Sequence, residues 1–356
     1  MTRQIHVGNV TIGGGAPVVI QSMLNTKTTD VAGSLEQIRQ LKAAGCQIAR
    51  LAVPNMEAAR SFGDICKESE LPLVADIHFD YKLAIAAAEA GASKIRINPG
   101  NIGGEDRVKA VVDVCKDKHI PIRIGVNGGS LDKRLLEKYG HPTAEALVES
   151  AFEHLELLEK NGFYDSCLSM KSSTVPTMVQ ACRLFRQRCD YPLHIGVTET
   201  GPVKQGLIKS AMGIGALLLE GIGDTIRVSL TDDPVQEIYA AKDILKAAGL
   251  RKEGVNIVSC PTCGRTQIDL IGLVNQVDEA LKDCEKPITV AVMGCVVNGP
   301  GEAREADIGI AGGNGWGMIF EKGEQVEKLP YDELLSAPQA AHSPETYWIS
   351  ILFSVP

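Results

Sequence analysis

The feature that most constrains the fold is a regular alternation of short β-branched runs with stretches of helical periodicity, repeated eight times before residue 250. Such runs predict β-strands, and the stretches between them predict helices. Strands are predicted over 18–22, 47–53, 71–77, 93–98, 121–126, 166–171, 192–198 and 225–230. Helices are predicted over 34–44, 55–69, 80–90, 104–118, 143–161, 174–189, 204–220 and 234–248. Eight βα units in succession favour a (β/α)8 TIM-type barrel over an open sheet.

An open dinucleotide-binding sheet is the main alternative to the barrel. It would place a glycine-rich turn directly after its first strand. The glycines Gly13 to Gly15 precede the first predicted strand instead. We therefore interpret them as a hairpin-type turn that closes the bottom of the barrel.

The pattern changes after Leu250, where strands and a helix near 268–284 alternate and four of the ten cysteines occur. This change predicts two domains, a barrel over 1–250 and a small α+β domain over 251–356. The stretch after about residue 330 has no periodicity, so its role is not predicted.

Charge and hydropathy exclude several classes of protein. The formal net charge is -8, and no block of Lys and Arg stands out, so nucleic acid is not expected as a partner. Residues 1–9 are polar and no apolar run approaches the ~20 residues of a membrane span, so we expect a cytoplasmic protein. A reducing cytosol keeps cysteines as thiols. Six of them are isolated in apolar patterns, as small hydrophobic residues would be: Cys46, Cys66, Cys115, Cys167, Cys182 and Cys189.

Five cationic residues stand at or near the carboxyl ends of the predicted strands. We call this set the cationic rim: Arg50, Arg96, Arg123, Lys171 and Arg227. Barrel enzymes carry their functional groups at this end. A single arginine here is more simply a polar barrel layer or a surface charge paired with a helix residue. Five together predict a multiply phosphorylated small ligand, since guanidinium groups bind phosphate in a bidentate manner.

Other polar residues also occupy strand ends. Asp76, His78 and Glu199 are candidates for proton transfer, because their side chains span the useful range of general acids and bases. His78 is equally consistent with a structural histidine. Asn98, Asn127 and Ser229 are the other polar residues at this edge.

Cys260-Pro-Thr-Cys263, followed by Cys295 and Glu302, is the strongest local signal. A CxxC turn brings two thiolates to one metal centre, and a third cysteine adds another ligand. Glu302 is a candidate fourth ligand, and a carboxylate yields more easily to a substrate oxygen than a thiolate does. A three-cysteine zinc site, a thioredoxin-like dithiol and a purely structural cluster remain alternatives. Cys284, late in a predicted helix, is a poor ligand candidate.

Several long motifs in the same order resemble the bacterial 4-hydroxy-3-methylbut-2-enyl diphosphate synthase family. They are QSM, ADIHF, RINPGNIG, GVNGGSL, EGIGDTIRVSL, VSCPTCGR and MGCVVNGPGEA. The resemblance extends from residue 1 to about 330. The chain between the last predicted barrel helix, 234–248, and Cys260 is too short for the extra domain that plant-type and some bacterial members insert after the barrel. It implies an oxidoreductase that reductively opens and dehydroxylates 2-C-methyl-D-erythritol 2,4-cyclodiphosphate, giving (E)-4-hydroxy-3-methylbut-2-enyl diphosphate in non-mevalonate isoprenoid biosynthesis.

The same resemblance implies roles for individual residues. It implies a 4Fe-4S cluster held by Cys260, Cys263, Cys295 and Glu302. It implies substrate contacts from Arg50, Arg96, Arg123, Asn127 and Lys171, with Arg227 and Ser229 nearby, and acid or base roles for Glu199, Asp76 and His78. Flavodoxin or ferredoxin is the implied electron donor, and a head-to-tail homodimer is the implied assembly.

Two other classes of function remain open from the residues alone. One is a phosphate-binding barrel without redox activity, in which the cysteines hold a structural metal. The other is an electron-relay or scaffold protein, which would not need the cationic rim. The presence of iron separates the first of these from the redox enzyme.

Overall fold

The structure, a computed structural model, describes residues 1–281, 284, 286–295, 301 and 304–330. Contacts within the chain separate it into two units, which divide between Leu250 and Arg251.

The first unit begins with an antiparallel hairpin of β1 (Gln4–Val7) and β2 (Val10–Gly13). Its inner side chains pack against the first residues of the barrel strands, so the hairpin closes the amino-terminal end of the barrel. This small core consists of Ile5, Val7, Ile12, Val19, Ile48, Val74 and Cys167.

The expectation for Gly13 to Gly15 was right in placing a hairpin here and wrong in placing its turn. The turn consists of Gly8 and Asn9, and Gly13 is instead the last residue of β2. Gly8 has a φ of 57°, which supplies the left-handed conformation that a two-residue turn needs. Gly13 to Gly15 also have positive φ, and they lead the chain from the hairpin into the barrel.

Eight parallel strands form the barrel, as predicted. They are β3 (Val19–Met23), β4 (Ile48–Ala52), β5 (Leu73–Asp76), β6 (Lys94–Ile97), β7 (Ile122–Asn127), β8 (Ser166–Lys171), β9 (His194–Ile195) and β10 (Thr225–Ile226). Each strand from β3 to β7 pairs with the next in the chain, and β10 pairs with both β9 and β3. An isolated bridge between Leu168 and Leu193 links β8 to the residue that precedes β9.

The last two barrel strands are shorter than predicted. Just beyond Ile195 the two chain segments approach closely, since a Cβ added at Gly196 would lie 2.4 Å from the carbonyl oxygen of Arg227. The sequence indicated the position of these strands but not this close approach.

Ten helices connect and surround the strands in the described part of the barrel unit. They are α1 (Val31–Ala44), α2 (Met56–Glu68), α3 (Tyr81–Glu89), α4 (Pro99–Ile102), α5 (Glu105–Asp117), α6 (Lys133–Tyr139), α7 (Ala144–Lys160), α8 (Val175–Arg186), α9 (Val203–Leu219) and α10 (Pro234–Ala247). The eight predicted helices correspond to all except the short α4 and α6. Side-chain caps such as Asp30, Asn55 and Thr143 fix where several of them begin.

Side chains alternate across the barrel wall. On β6, Ile95 and Ile97 belong to the apolar core shared with the helices, whereas Lys94 and Arg96 are buried polar residues that point the other way. The outer layer supplies the apolar burial that stabilises the fold, and the interior is free to carry polar groups.

The second unit is an α+β fold, as predicted. It contains β11 (Asn256–Ser259), α11 (Leu270–Leu281), β12 (Thr289–Met293), β13 (Ile308–Gly313), β14 (Trp316–Glu321) and β15 (Glu324–Pro330). The five strands form one sheet in chain order, parallel from β11 to β13 and antiparallel from β13 to β15. Leu273 and Val277 of α11 pack on Val290 and Val292 of the sheet. The residues after 330 lie outside the described part of the chain.

Within the described residues, we find no helix with both the length and the apolar character that crossing a membrane requires.

Replacing Gly13 by alanine is expected to destabilise the barrel more than the same change at Gly221. Both residues have positive φ, of 79° and 69°, so each change carries a left-handed penalty of about 1–2 kcal/mol. At Gly13 the new Cβ would also lie 2.2 Å from the carbonyl oxygen of Arg3, whereas Gly221 has nothing within 4 Å. Urea unfolding followed by far-ultraviolet circular dichroism measures the difference. Equal losses would show that the hairpin adjusts without cost.

Candidate functional site

The cationic rim assembles at the carboxyl-terminal end of the barrel. Arg50, Arg96, Arg123 and Lys171 are each at most 7% exposed, although Arg50 and Lys171 are 121 positions apart in the chain. Parallel strands all end at the same edge of the barrel, which is why the sequence could indicate this grouping. Arg227 lies just beyond β10 and is partly buried.

Asp76, the last residue of β5, pairs with two members of the rim. Arg96 Nη1 lies 3.1 Å from Asp76 Oδ1, and Arg50 Nε lies 3.8 Å from Asp76 Oδ2. Burial by itself would raise the pKa of Asp76, but the guanidinium groups of Arg50 and Arg96 outweigh it and lower that pKa. Asp76 is therefore an ionised carboxylate that orients arginines.

A second carboxylate, Glu237 of α10, was not predicted from the sequence. It is 3% exposed and lies 3.3 Å from Arg227 Nη2. It also accepts hydrogen bonds from Ser22 Oγ at 3.1 Å and from the backbone N–H of Leu230 at 3.1 Å. A buried glutamate with three such partners fixes Arg227 from the helix side of the barrel.

Arg123 is the most deeply buried member of the rim. It is 0% exposed, and none of its three side-chain nitrogens has a hydrogen-bond partner among the described residues. Burial, together with the charges of Arg50 and Arg96, lowers its pKa well below the ordinary value. Burying an unpaired charge is costly, so this guanidinium group is arranged for an anion that the protein itself does not supply.

The charge balance of the site points the same way. Five rim cations face the two carboxylates Asp76 and Glu237, which leaves an excess of three formal positive charges. Burial and the neighbouring charges of Arg227 and Arg50 also lower the pKa of Lys171 well below its ordinary value. Since a multiply charged anion would relieve this repulsion, the site favours a polyanion over a neutral ligand.

Space for one arginine depends on a glycine. A Cβ added at Gly125 of β7 would lie 2.5 Å from Nε and 2.6 Å from Nη2 of Arg96. The absent side chain lets the Arg96 guanidinium group lie across β7. With its amide oxygen turned inward, Asn127 accepts a hydrogen bond from Arg96 Nη2 at 3.2 Å.

The remaining residues predicted for this edge lie around the rim. His78 is half exposed, and its Nε2 is 4.0 Å from Asp76 Oδ2. Glu199 is exposed and has a φ of 54°, a conformation that is strained for a residue with a side chain. Ser229 has a buried hydroxyl with no partner in the described part of the chain, and its carbonyl accepts a hydrogen bond from Thr200.

A deeper polar layer inside the barrel was also missed. Lys94 Nζ donates a hydrogen bond to Gln21 Oε1 at 3.3 Å, and burial lowers the pKa of Lys94 to about 8. His194 on β9 is likewise buried. A signal was present, because Lys94 and Thr225 stand two residues before Arg96 and Arg227 and therefore face the same side of their strands.

In the second unit, two predicted ligands follow neighbouring parallel strands. Cys260 comes directly after β11, and Cys295 follows the end of β12. The two strands pair through Ser259 and Val292, and the backbone N–H of Gly294 donates a hydrogen bond to Cys260 Sγ at 3.3 Å. The sheet register therefore brings the segments carrying these two cysteines together.

Cys263 lies in the exposed loop after Cys260. Its backbone N–H donates to Thr266 Oγ1 at 3.2 Å, and its carbonyl accepts from the Thr266 N–H at 3.0 Å. Hydrogen bonds from the backbone and side chain of Arg265 lower the pKa of the Cys263 thiol. A lowered pKa favours the thiolate, the form that binds metals.

The cysteines do not form a ready site for a single ion. Over the described residues, no three His, Cys, Asp or Glu side chains are grouped closely enough to hold one metal ion. An iron-sulfur cluster spaces its ligands further apart, because each thiolate binds a different iron atom. Glu302, the predicted fourth ligand, lies outside the described residues.

Fold and site together define a barrel protein with an excess of positive charge at the carboxyl ends of its strands and a second unit that carries four cysteines. The chain belongs to the GcpE family. The GcpE TIM-barrel domain matches residues 2–242, and the GcpE protein C-terminal domain matches residues 256–342.

Curated relatives match almost the whole chain. A protein of Clostridium perfringens is 60% identical over 94% of this chain and 96% of its own length. One of Geobacter sulfurreducens is 57% identical over 94% and 95%. Both are named 4-hydroxy-3-methylbut-2-en-1-yl diphosphate synthase (flavodoxin). Among solved structures, a dihydropteroate synthase of Yersinia pestis with a sulfonamide drug matches 70% of this chain and 100% of its own, with a TM-score of 0.51 and 11% identity, a likeness of fold alone.

Replacing Gly125 by alanine is expected to weaken anion binding by roughly tenfold or more, the usual cost of losing a hydrogen bond to a charged group. The added methyl group would displace Arg96, which is held by Asp76. Thermal stabilisation by inorganic pyrophosphate at a fixed concentration measures the effect, because stabilisation by a ligand grows with the logarithm of its affinity. Gly215→Ala, on α9 with nothing within 4 Å, is the matched control. Equal stabilisation of both variants would show that Arg96 does not depend on Gly125.

Proposed function

We propose that this chain catalyses the reductive ring opening and dehydroxylation of 2-C-methyl-D-erythritol 2,4-cyclodiphosphate to (E)-4-hydroxy-3-methylbut-2-enyl diphosphate, a step of isoprenoid biosynthesis. The family and the names of its relatives support this reaction. The observation that carries it in the structure is the fully buried, unpartnered guanidinium group of Arg123 within the cationic rim of the described barrel.

The charge of the site suits this reaction. The cyclic substrate takes up two electrons and one proton, loses its hydroxyl as water, and breaks one ring C–O bond. The freed ester oxygen becomes an ionised phosphate oxygen, so the ligand gains one negative charge. Positively charged side chains that are already in position stabilise a transition state in which negative charge develops, because the protein does not have to reorganise during the step. The excess positive charge of the rim would stabilise ring opening in this way.

Individual rim residues take different parts in this proposal. Arg50, Arg96, Arg123, Lys171 and Arg227 bind the diphosphate, with Asn127 and Ser229 completing its contacts. Asp76 acts through the arginines, because its lowered pKa makes it a poor proton donor. Glu199, exposed at the barrel edge in a strained conformation, is the proposed proton donor to the leaving hydroxyl, and His78 is its alternative.

We propose that Cys260, Cys263 and Cys295 hold a 4Fe-4S cluster, with Glu302 as the fourth ligand. Soft thiolate donors suit iron-sulfur clusters, and the loop after β11 together with the end of β12 supplies three of them. When bound, such a cluster supplies the two electrons one at a time.

The partners follow from the same proposal. The relatives' names include flavodoxin, which we propose as the electron donor, with ferredoxin as the alternative. A head-to-tail homodimer in the cytoplasm is proposed from the family resemblance.

Replacing Arg123 by lysine is expected to raise KM for the cyclic diphosphate by roughly tenfold or more. Lysine keeps the charge but cannot form a bidentate contact with phosphate. Steady-state kinetics with a reduced electron donor measures the change, and Arg183→Lys, on the exposed surface of α8, is the control. An unchanged KM and kcat would remove Arg123 from the substrate site.

Replacing Cys263 by serine is expected to remove most of the iron from protein purified without oxygen. The parent protein should contain about four iron and about four sulfide per chain, with a broad visible absorption that dithionite bleaches. Cys284→Ser is the control, since Cys284 is a thiol of the same unit outside the proposed ligand set. Stoichiometric zinc without visible absorption, persisting after anaerobic reconstitution, would instead support a barrel enzyme without redox activity.

A further inference from the structure

Met23 stands between two members of the cationic rim, and the proposed reaction assigns it no part. It is the last residue of β3 and pairs in register with Arg50 of β4. Its Sδ lies 3.2 Å from Arg50 Nε and 2.7 Å from Arg50 Nη2. Arg227 follows β10, on the other side of β3, and its Nη1 lies 4.0 Å from the same sulfur. One thioether therefore contacts two guanidinium groups.

Each of these two arginines is also held by a carboxylate. Arg50 Nε lies 3.8 Å from Asp76 Oδ2, and Arg227 Nε and Nη2 lie 3.4 and 3.3 Å from the carboxylate oxygens of Glu237. Arg227 thus uses Nε and Nη2 for the carboxylate and directs Nη1 at the sulfur. The carboxylates fix one edge of each guanidinium group, and Met23 contacts another.

The two guanidinium groups repel each other. Burial lowers the pKa of Arg50 to about 10; Asp76 opposes this change, and the positive charge of Arg227 adds to it. Like charges turn away from each other unless an acceptor lies between them. The thioether sulfur is such an acceptor, weak but soft and polarisable.

A neutral acceptor suits this position better than a charged one. Five rim cations face Asp76 and Glu237, an excess of three formal positive charges. A third carboxylate at position 23 would hold the arginines more strongly, but it would reduce that excess from three to two. Methionine can orient the donors and leave their charge to the anion.

We propose that Met23 is a positioning residue, whose sulfur accepts hydrogen bonds from Arg50 and Arg227 and holds both guanidinium groups ready for a phosphate-bearing ligand without neutralising them. The proposal rests on the proposed function in one respect, that the ligand is a diphosphate. Donors that are fixed before binding lower the ordering cost of binding.

The first test observes Arg50 directly, without ligand and without activity. Nuclear magnetic resonance of the full-length protein, labelled with ¹⁵N-arginine and purified without oxygen, measures rotation of the Arg50 guanidinium group about its Cζ–Nε bond, and Arg50→Lys identifies the signal. We expect rotation to be roughly fivefold faster in Met23→Leu, which loses the acceptor. Leucine has nearly the volume of methionine, so a packing role predicts no change. Equal rotation rates would overturn the proposal.

The second test measures the affinity for inorganic pyrophosphate by calorimetry in three variants. Met23→Leu should weaken binding by roughly fivefold, whereas Met23→Gln supplies a neutral amide oxygen and should restore most of the affinity. Met23→Glu has the shape of glutamine but adds a negative charge, so it should bind roughly tenfold more weakly than Met23→Gln. If Met23→Gln binds as weakly as Met23→Leu, the residue acts through packing and the proposal fails. It fails equally if Met23→Glu binds as tightly as Met23→Gln, because neutrality would then not matter.

Met178 of α8 supplies the matched control. It is fully buried in the apolar core that the strands share with the helices. Met178→Leu conserves volume and should therefore change stability slightly without changing pyrophosphate affinity. If the parent protein does not bind pyrophosphate, the proposed diphosphate site is wrong, whereas the rotation of Arg50 still decides whether Met23 holds it.

Discussion

The constraint on which the rest of the structure depends is an excess of buried positive charge. The cationic rim carries more positive charges than the neighbouring carboxylates can neutralise. Arg123 is fully buried without a partner in the described chain, and it lies close enough to Arg50 and Arg96 for their charges to lower its pKa. Water would solvate these groups in the unfolded chain, so their burial opposes folding. The barrel therefore carries a cost that a bound anion would relieve, and its stability must come from other interactions.

Stability requires apolar burial, whereas anion binding requires buried positive charge. The alternation of side chains along each strand places these two kinds of residue on opposite faces of the barrel wall. Outward residues such as Ile95 and Ile97 pack in the apolar core shared with the helices, while inward residues on the same strand, Lys94 and Arg96, carry charge. The hairpin closes the opposite end of the barrel with apolar side chains, and the polar groups gather at the carboxyl-terminal edge. Stability and binding are thus assigned to different faces and different ends of the same strands.

The sequence was most informative where a local pattern determines the structure. The barrel followed from the number of strands, and the rim followed because the carboxyl ends of parallel strands meet. Glu237 could not be found this way, since its partners Arg227 and Ser22 are brought to it only by the packing of α10 against the barrel. The role of Gly125 could not be predicted either, because it depends on where the Arg96 side chain lies in the folded barrel. Period-two spacing did point inward at Lys94 and Thr225, but it gives no sign of a hydrogen-bond partner.

Both units place their chemistry by the same geometric rule. The rim residues stand at the ends of parallel barrel strands, and Cys260 and Cys295 follow the parallel strands β11 and β12. A strand end is suited to this because the strand fixes the position of the backbone while the following loop is free to differ in sequence. The donors differ as the ligands require: guanidinium groups for phosphate oxygens, and thiolates for soft metals. Because each set is held by its own sheet, changing one should leave the other intact, which makes the anion site and the cysteine site separable by mutation.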